Sequence, residues 1–158
     1  MSDVMLSQGN GLFEMTERHR INLEAKQKFV EALFKNDWDE MAKYVTDDVE
    51  LREPAALPFG GTYIGLDGFK QCWDRIPQVS HRTVSIETLH TYLTENPDHL
   101  WVELDCKMIR NDTGERMDDV VMEKFEFRDG KISAIILNWF NIPRFEAAPP
   151  PEVRTPTV

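Results

Sequence analysis

The chain has 158 residues, 41% of them hydrophobic and 29% charged, with a formal net charge of −10. That length suits one domain able to bury roughly 70% of its unfolded surface, enough for a core and a modest internal pocket. The acidic balance, with no Lys/Arg cluster, excludes a phosphate-tracking nucleic-acid surface, and no apolar run nears the roughly 20 residues of a membrane span.

Residues 1–16 carry no persistent period and read as a flexible arm or an addition to a sheet edge. The start MSDVMLSQGNGLF lacks a basic region followed by a long apolar run, so a cytoplasmic protein without a secretory leader is expected. From Glu17 to Lys35, Ile21, Ala25, Phe29, Ala32 and Leu33 fall on one helical stripe, which Asn36-Asp37 ends. Asp37 and Glu40 then form a capping pair for a short helix carrying Trp38 and Met41. A short strand is expected over 49–53, with Val49, Leu51 and Glu53 on one face. Pro54, Pro58 and Gly60-Gly61 mark a loop after it. A third helix follows, capped by Asp67, turning Phe69, Cys72, Trp73 and Ile76 inward and ending at Pro77.

Beyond Pro77 the hydrophobic period changes from 3.6 to 2, and strands are expected at about 82–93, 100–110, 117–128 and 131–142. Asp129-Gly130 between two apolar runs signals a two-residue hairpin. Residues 146–158 are proline-rich, with nothing to pack, and read as a mobile tail. Helices first and a meander after them give one α+β domain over 17–145: three N-terminal helices packed on a curved, cone-shaped antiparallel sheet. The last strand, ISAIILNWFN, is apolar on both faces, so a homodimer through the open sheet face is expected.

Strand alternation selects the candidate site. Val121, Glu123, Phe125 and Phe127 share a face, so Glu123 is a carboxylate within an apolar stripe, as Glu53 is beside Val49 and Leu51. A carboxylate buried without a partner is costly and takes up a proton or finds a counter-charge. Either both glutamates point outward or pair with Arg52 and Lys124, or they enter one pocket as an acid–base pair. His90 shares its expected face with Val84, Ile86 and Thr88; it is either a third polar group of that pocket or a satisfied sheet residue. The four histidines show no zinc-ligand spacing, no phosphate or dinucleotide loop is present, and neither cysteine has a basic neighbour to activate it, so neither metal nor cofactor is expected.

The stretch KFVEALFKNDWDEMAKYVTDDVELREP (28–54), with the helix-helix-strand-helix-meander order, resembles the nuclear-transport-factor-2-like fold and its SnoaL-like, ketosteroid-isomerase-like branch. The resemblance implies that the isomerase's general base, an aspartate before proline, falls on Glu53. Its protonated oxyanion-binding acid falls on Glu123, and its oxyanion-hole tyrosine on Phe29, which has no hydroxyl. The pairing of such acids is a standing illustration of carboxyl tuning. Aromatic positions near that site fall on Trp73 and Trp139. With Phe29 and Phe125 they would hold a flat apolar molecule, with Tyr63 of the GGTYIG loop as an extra donor. NPDHLWVELD (96–105) and FEFRDGKISA (125–134) are similar to segments of the phenazine-biosynthesis A/B proteins, whose final-strand acid falls on Leu137.

The implied activity is a cofactor-independent isomerase, cyclase or retro-aldol/elimination-type lyase acting on a small hydrophobic aromatic or polycyclic molecule. The alternative is a non-catalytic ligand-binding or assembly subunit of the same fold.

Overall fold

The computed structural model describes residues 4–6 and 13–142; most of the arm expected before residue 17 and all of the tail expected over 146–158 lie outside the described residues. In chain order the elements are β1 (Val4–Leu6), α1 (Glu17–Phe34), α2 (Trp38–Met41), β2 (Val45–Glu53), β3 (Gly61–Ile64), α3 (Gly65–Val79), β4 (His81–Leu93), β5 (His99–Arg110), β6 (Arg116–Arg128) and β7 (Lys131–Trp139). One seven-stranded sheet has the order β1-β4-β5-β6-β7-β2-β3. The meander β4–β7 is antiparallel as expected, while β2 joins β7 and β1 joins β4 in parallel. The domain is α+β, with α1 against β7 and α3 against β2 and β4.

Local chemistry explains most boundaries. The Thr16 hydroxyl caps α1 by accepting the His19 backbone N–H, and Asn36, at φ 53°, turns the chain out of the helix. The Asp37 carboxylate accepts the Glu40 backbone N–H at the start of α2. At the β6–β7 hairpin both Asp129 (φ 51°) and Gly130 (φ 76°) are left-handed, which a tight two-residue turn with the right-handed twist of its strands requires.

Several expectations need correction. Ile21 is 47% exposed rather than inward; the buried face of α1 consists of His19, Asn22, Ala25, Lys26, Phe29, Ala32 and Leu33. The segment after Pro58 is not all loop. Gly61–Ile64 pairs antiparallel with β2, and Gly60 allows the approach, since a Cβ there would sit 2.1 Å from the Pro54 carbonyl oxygen. Helix α3 begins before Asp67, with Ile64 at its cap, and runs through Pro77 to Val79. Close to a helix end, Pro77 disturbs only one short turn. Strand β2 starts at Val45, four residues early, with a register shift between Val45 and Glu50, and β7 ends at Trp139.

The inner sheet face is built in rows across the strands. Leu93, Leu100, Phe125 and Ile135 form one; Thr91, Val102, Glu123 and Leu137 the next; Thr88, Leu104, Val121 and Trp139 the third. The first row is buried at 0–2% exposure and makes the floor of the core, with Phe29 above it on α1. Beyond it, Glu123 and Leu137 of the second row and all four residues of the third line open space.

Candidate active site

Between α1, α3 and these rows lies a cavity of about 110 Å³. Its walls are mostly apolar: Phe29 and Leu33 from α1, Phe69, Trp73 and Ile76 from α3, and Ile86, Leu104, Val121, Phe125, Leu137 and Trp139 from the sheet. Phe34 and Thr83, also on the lining, are exposed and mark the mouth. Of the residues selected from sequence, Phe29, Trp73, Glu123, Phe125 and Trp139 line this space together.

Glu123 is the carboxyl that faces the cavity, on the inward side of β6 as alternation predicts. Burial pushes its carboxyl up to about 7, with the positive charge of Lys26 pulling it back. Lys26 lines the same cavity from α1 and is 9% exposed. Burial holds its ammonium below the usual lysine value, and the Glu123 carboxylate opposes that shift. Among the described residues neither side chain makes a direct ion pair or a side-chain hydrogen bond; the Lys26 ammonium lies 5.9 Å from the Phe125 ring centre. Two groups that each favour a charged partner thus face shared, otherwise apolar space. A ligand oxygen between them would satisfy both.

Glu53 is as buried as parity requires, at 7% exposure, but it is not part of the cavity lining. Trp139 stands between: its indole Nε1–H donates to Glu53 Oε2 at 2.8 Å, while the ring lines the cavity. Burial raises the Glu53 carboxyl to about 8, opposed by that indole hydrogen bond and reinforced by the charge of Glu123. The charge of Glu123 therefore reaches Glu53 across the wall, and of the two carboxyls Glu123 has access to a ligand in this conformation.

Two other candidates are placed elsewhere. The Tyr63 hydroxyl donates to the Phe59 carbonyl at 2.7 Å, outside the cavity lining. His90 turns to the outer sheet face, with Nδ1 3.0 Å from Glu103 Oε2, an oxygen that also accepts from the Tyr92 hydroxyl at 2.9 Å. The cause is a pair of bulges in β4, between Thr83 and Ser85 and between Thr88 and His90, each adding one residue without a partner on β5. They shift the inward set from even alternation to Thr83, Ile86, Thr88 and Thr91, and Val84 is left 54% exposed. The shared face expected for Val84 and His90 is thereby lost.

Sequence alternation missed Lys26 and His81, both on the lining. Lys26 had a signal: Asn22, Lys26, Phe29 and Leu33 follow the i, i+4, i+7, i+11 spacing of a helix stripe beside the one chosen. His81 had none, since its position depends on where β4 begins. It is 2% exposed, its Nδ1 lies 2.9 Å from the Ser80 hydroxyl, and its ring stacks edge-on against Phe59 and Trp139. Burial lowers its imidazolium to about 4, so it is neutral near pH 7. Cys106 also lines the cavity, but burial raises its thiol to about 12, which leaves it protonated and poorly nucleophilic. Among the described residues no three His, Cys, Asp or Glu side chains are grouped to hold a metal, and no helix is long and apolar enough to cross a membrane.

The SnoaL-like domain family matches residues 27–135. The chain belongs to that family. Solved structures agree on the fold, which is nuclear-transport-factor-2-like. A protein of that fold from Burkholderia xenovorans LB400 is 15% identical, with a TM-score of 0.66 over 84% of this chain and 99% of its own. A candidate polyketide cyclase from Xanthomonas campestris pv. campestris is 18% identical, with a TM-score of 0.63 over 83% of this chain and 98% of its own. TerC, co-crystallised with polyporic acid, is 16% identical, with a TM-score of 0.60 over 81% of this chain and 99% of its own. No curated protein matches the chain significantly.

Proposed function

We propose that this SnoaL-like domain is a cofactor-independent acid–base catalyst that moves a proton on a small, ring-containing hydrophobic carbonyl compound. The observation that carries it is Glu123, a carboxyl whose proton is held near neutrality in an apolar cavity, where Lys26 supplies a polar partner for the substrate oxygen. A general base works best with a pKa near the operating pH, and a desolvated carboxylate is a stronger base than a hydrated one. Glu123 takes a proton from carbon, or for retro-aldol cleavage from the carbinol O–H, and returns it to carbon or to a leaving group; isomerisation, ring closure and retro-aldol or elimination-type cleavage all use such a pair of transfers. Glu53, behind Trp139, has its own carboxyl raised in part by the charge of Glu123 and reaches substrate only if the indole moves.

The cavity volume narrows the substrate. An engineered apolar cavity of roughly 150 Å³ holds benzene, so this smaller one takes at most one ring and a larger molecule must extend past Phe34 and Thr83. The polyketide-cyclase name of one structural neighbour and the polyporic acid co-crystallised with another support such a substrate class.

The ring opening of 5-nitrobenzisoxazole tests the proposal, because that bicyclic probe needs only removal of a C–H proton by a base. The wild-type protein should accelerate it, with the rate rising through about pH 7 as Glu123 ionises. Glu123→Gln should abolish the acceleration and Glu53→Gln should keep it. An unchanged rate in Glu123→Gln overturns the assignment.

One observation favours a second reading as a ligand-binding or assembly subunit: Phe29 and the indole-capped Glu53 leave the isomerase-like donor and base positions without a free polar group. Native mass spectrometry separates them, since an obligatory hetero-complex supports the subunit. A lone homodimer joined through the outer sheet face, where Trp101, Met122 and Ile136 are half-exposed, supports the enzyme.

A further inference from the structure

Lys26 and Glu123 together form an arrangement that acid–base chemistry alone does not use in full. An amine in an apolar cavity, beside a carboxyl able to give and take a proton, has the parts needed to bond covalently to a carbonyl. Leu33, Phe34 and Val30 lead from the mouth along α1 to Lys26, so an aldehyde or ketone entering carbonyl-first meets the amine inside the cavity. Among the described residues lining the cavity, Lys26 is the one Lys or Arg, and no carboxylate ion-pairs with it directly. Two nearby lysines differ: Lys28 on α1 pairs with Glu24 at 3.3 Å and Lys43, just after α2, with Glu40, both on exposed surface.

We propose that Lys26 is a nucleophile that forms an imine with an aldehyde or ketone substrate, with Glu123 as its proton donor and acceptor. This rests on the acid–base reading above and names the substrate class for it. The amine nitrogen bonds to the carbonyl carbon and, after one proton passes from nitrogen to oxygen, gives a carbinolamine. Glu123 then protonates the hydroxyl, the C–O bond breaks, water leaves, and the nitrogen lone pair forms the iminium. The Glu123 carboxylate next removes the adjacent C–H proton to give an enamine, and hydrolysis by the reverse steps frees Lys26. No electrons are gained or lost overall. Desolvation supports the first step, because it favours the uncharged amine over the ammonium.

Reductive trapping reads the imine directly. The full-length protein is incubated near neutral pH with benzaldehyde, whose ring matches the cavity, and with cyanoborohydride, then mapped by peptide mass. Lys26 should acquire the benzyl group ahead of the exposed Lys28 and Lys43. Lys26→Arg should lose that adduct while keeping the positive charge, and Glu123→Gln should slow labelling of Lys26 without changing that of Lys28 or Lys43. Labelling of Lys26 no faster than that of Lys28 and Lys43 in the wild-type protein overturns the proposal. If nitrobenzisoxazole ring opening still depends on Glu123 in that case, only the covalent step falls; if that dependence is also absent, the acid–base reading falls with it.

Discussion

Glu53 and Glu123 are both glutamates on the inner face of a strand, and burial raises both. What lies in front of each carboxyl separates them. Glu53 meets an indole N–H at 2.8 Å and is walled off; Glu123 meets a cavity and an ammonium that does not touch it. The same residue type, buried in both places, is thus walled off behind an indole in one and open to a ligand in the other. A perturbed pKa identifies candidates, and only access to space decides between them.

The largest expected effect comes from exchanging the two carboxyls for amides. With a confirmed substrate, Glu123→Gln should lower kcat by about 10²–10⁴-fold, as for loss of a general base. Glu53→Gln should stay within a few-fold of wild type, and equal losses in both variants would erase the distinction. The next effect is on stability against pH. Glu53 is raised in the fold from an ordinary 4.5 to about 8. The unfolded chain therefore releases that proton first, and stability is lost as pH rises across this window, by up to about 1.4 kcal/mol per pH unit. Denaturation midpoints of wild type should fall relative to Glu53→Gln between pH 4.5 and 8. A constant difference would mean that the carboxylate is better solvated than its burial implies. His81 acts in the opposite direction: its imidazolium is depressed to about 4, so its contribution is lost as pH falls below the unfolded value of about 6.5.

Smaller effects sharpen the wall between the sites. Trp139→Phe keeps a ring but removes the donor to Glu53, and should cost about 1–3 kcal/mol at a pH where that carboxyl is ionised, read by chemical denaturation. Tyr63→Phe removes only the hydroxyl bonded to the Phe59 carbonyl and should cost about 0.5–1.5 kcal/mol, with nitrobenzisoxazole ring opening unchanged. A loss of that activity in Tyr63→Phe would bring Tyr63 back to the site.

Much of this was legible in the sequence for simple reasons. A period of 3.6 against 2 separates helices from strands, Asp129-Gly130 specifies its turn, and parity on regular strands placed Glu53, Glu123 and Phe125 inward. The misses occur where local pattern loses its authority. Gly61–Ile64 is a four-residue strand flanked by glycine, and its pairing with β2 rests on a backbone approach that only the folded chain reveals. Parity puts His90 on the face of Val84 and Ile86 because it assumes an uninterrupted ladder, and the bulges move it to the other face. Lys26 was passed over because a lysine on an apolar helix face reads as the edge of the polar side until the cavity above it is seen. The position of Trp139 between Glu53 and the cavity is a tertiary fact with no local trace.

The bulges of β4 carry one more consequence. The unpaired extra residues are Val84 and Leu89, two apolar side chains 54% and 39% exposed, which look wasted on the surface. They are surplus length, and surplus length on one strand is what bends a flat ribbon into a bowl. Removing Leu89 would leave Thr88 and Thr91 pointing inward as before while straightening the wall. The depth of the bowl is therefore counted in whole residues, and an insertion or deletion in this strand, rather than a substitution, is the change that would resize it for a different guest.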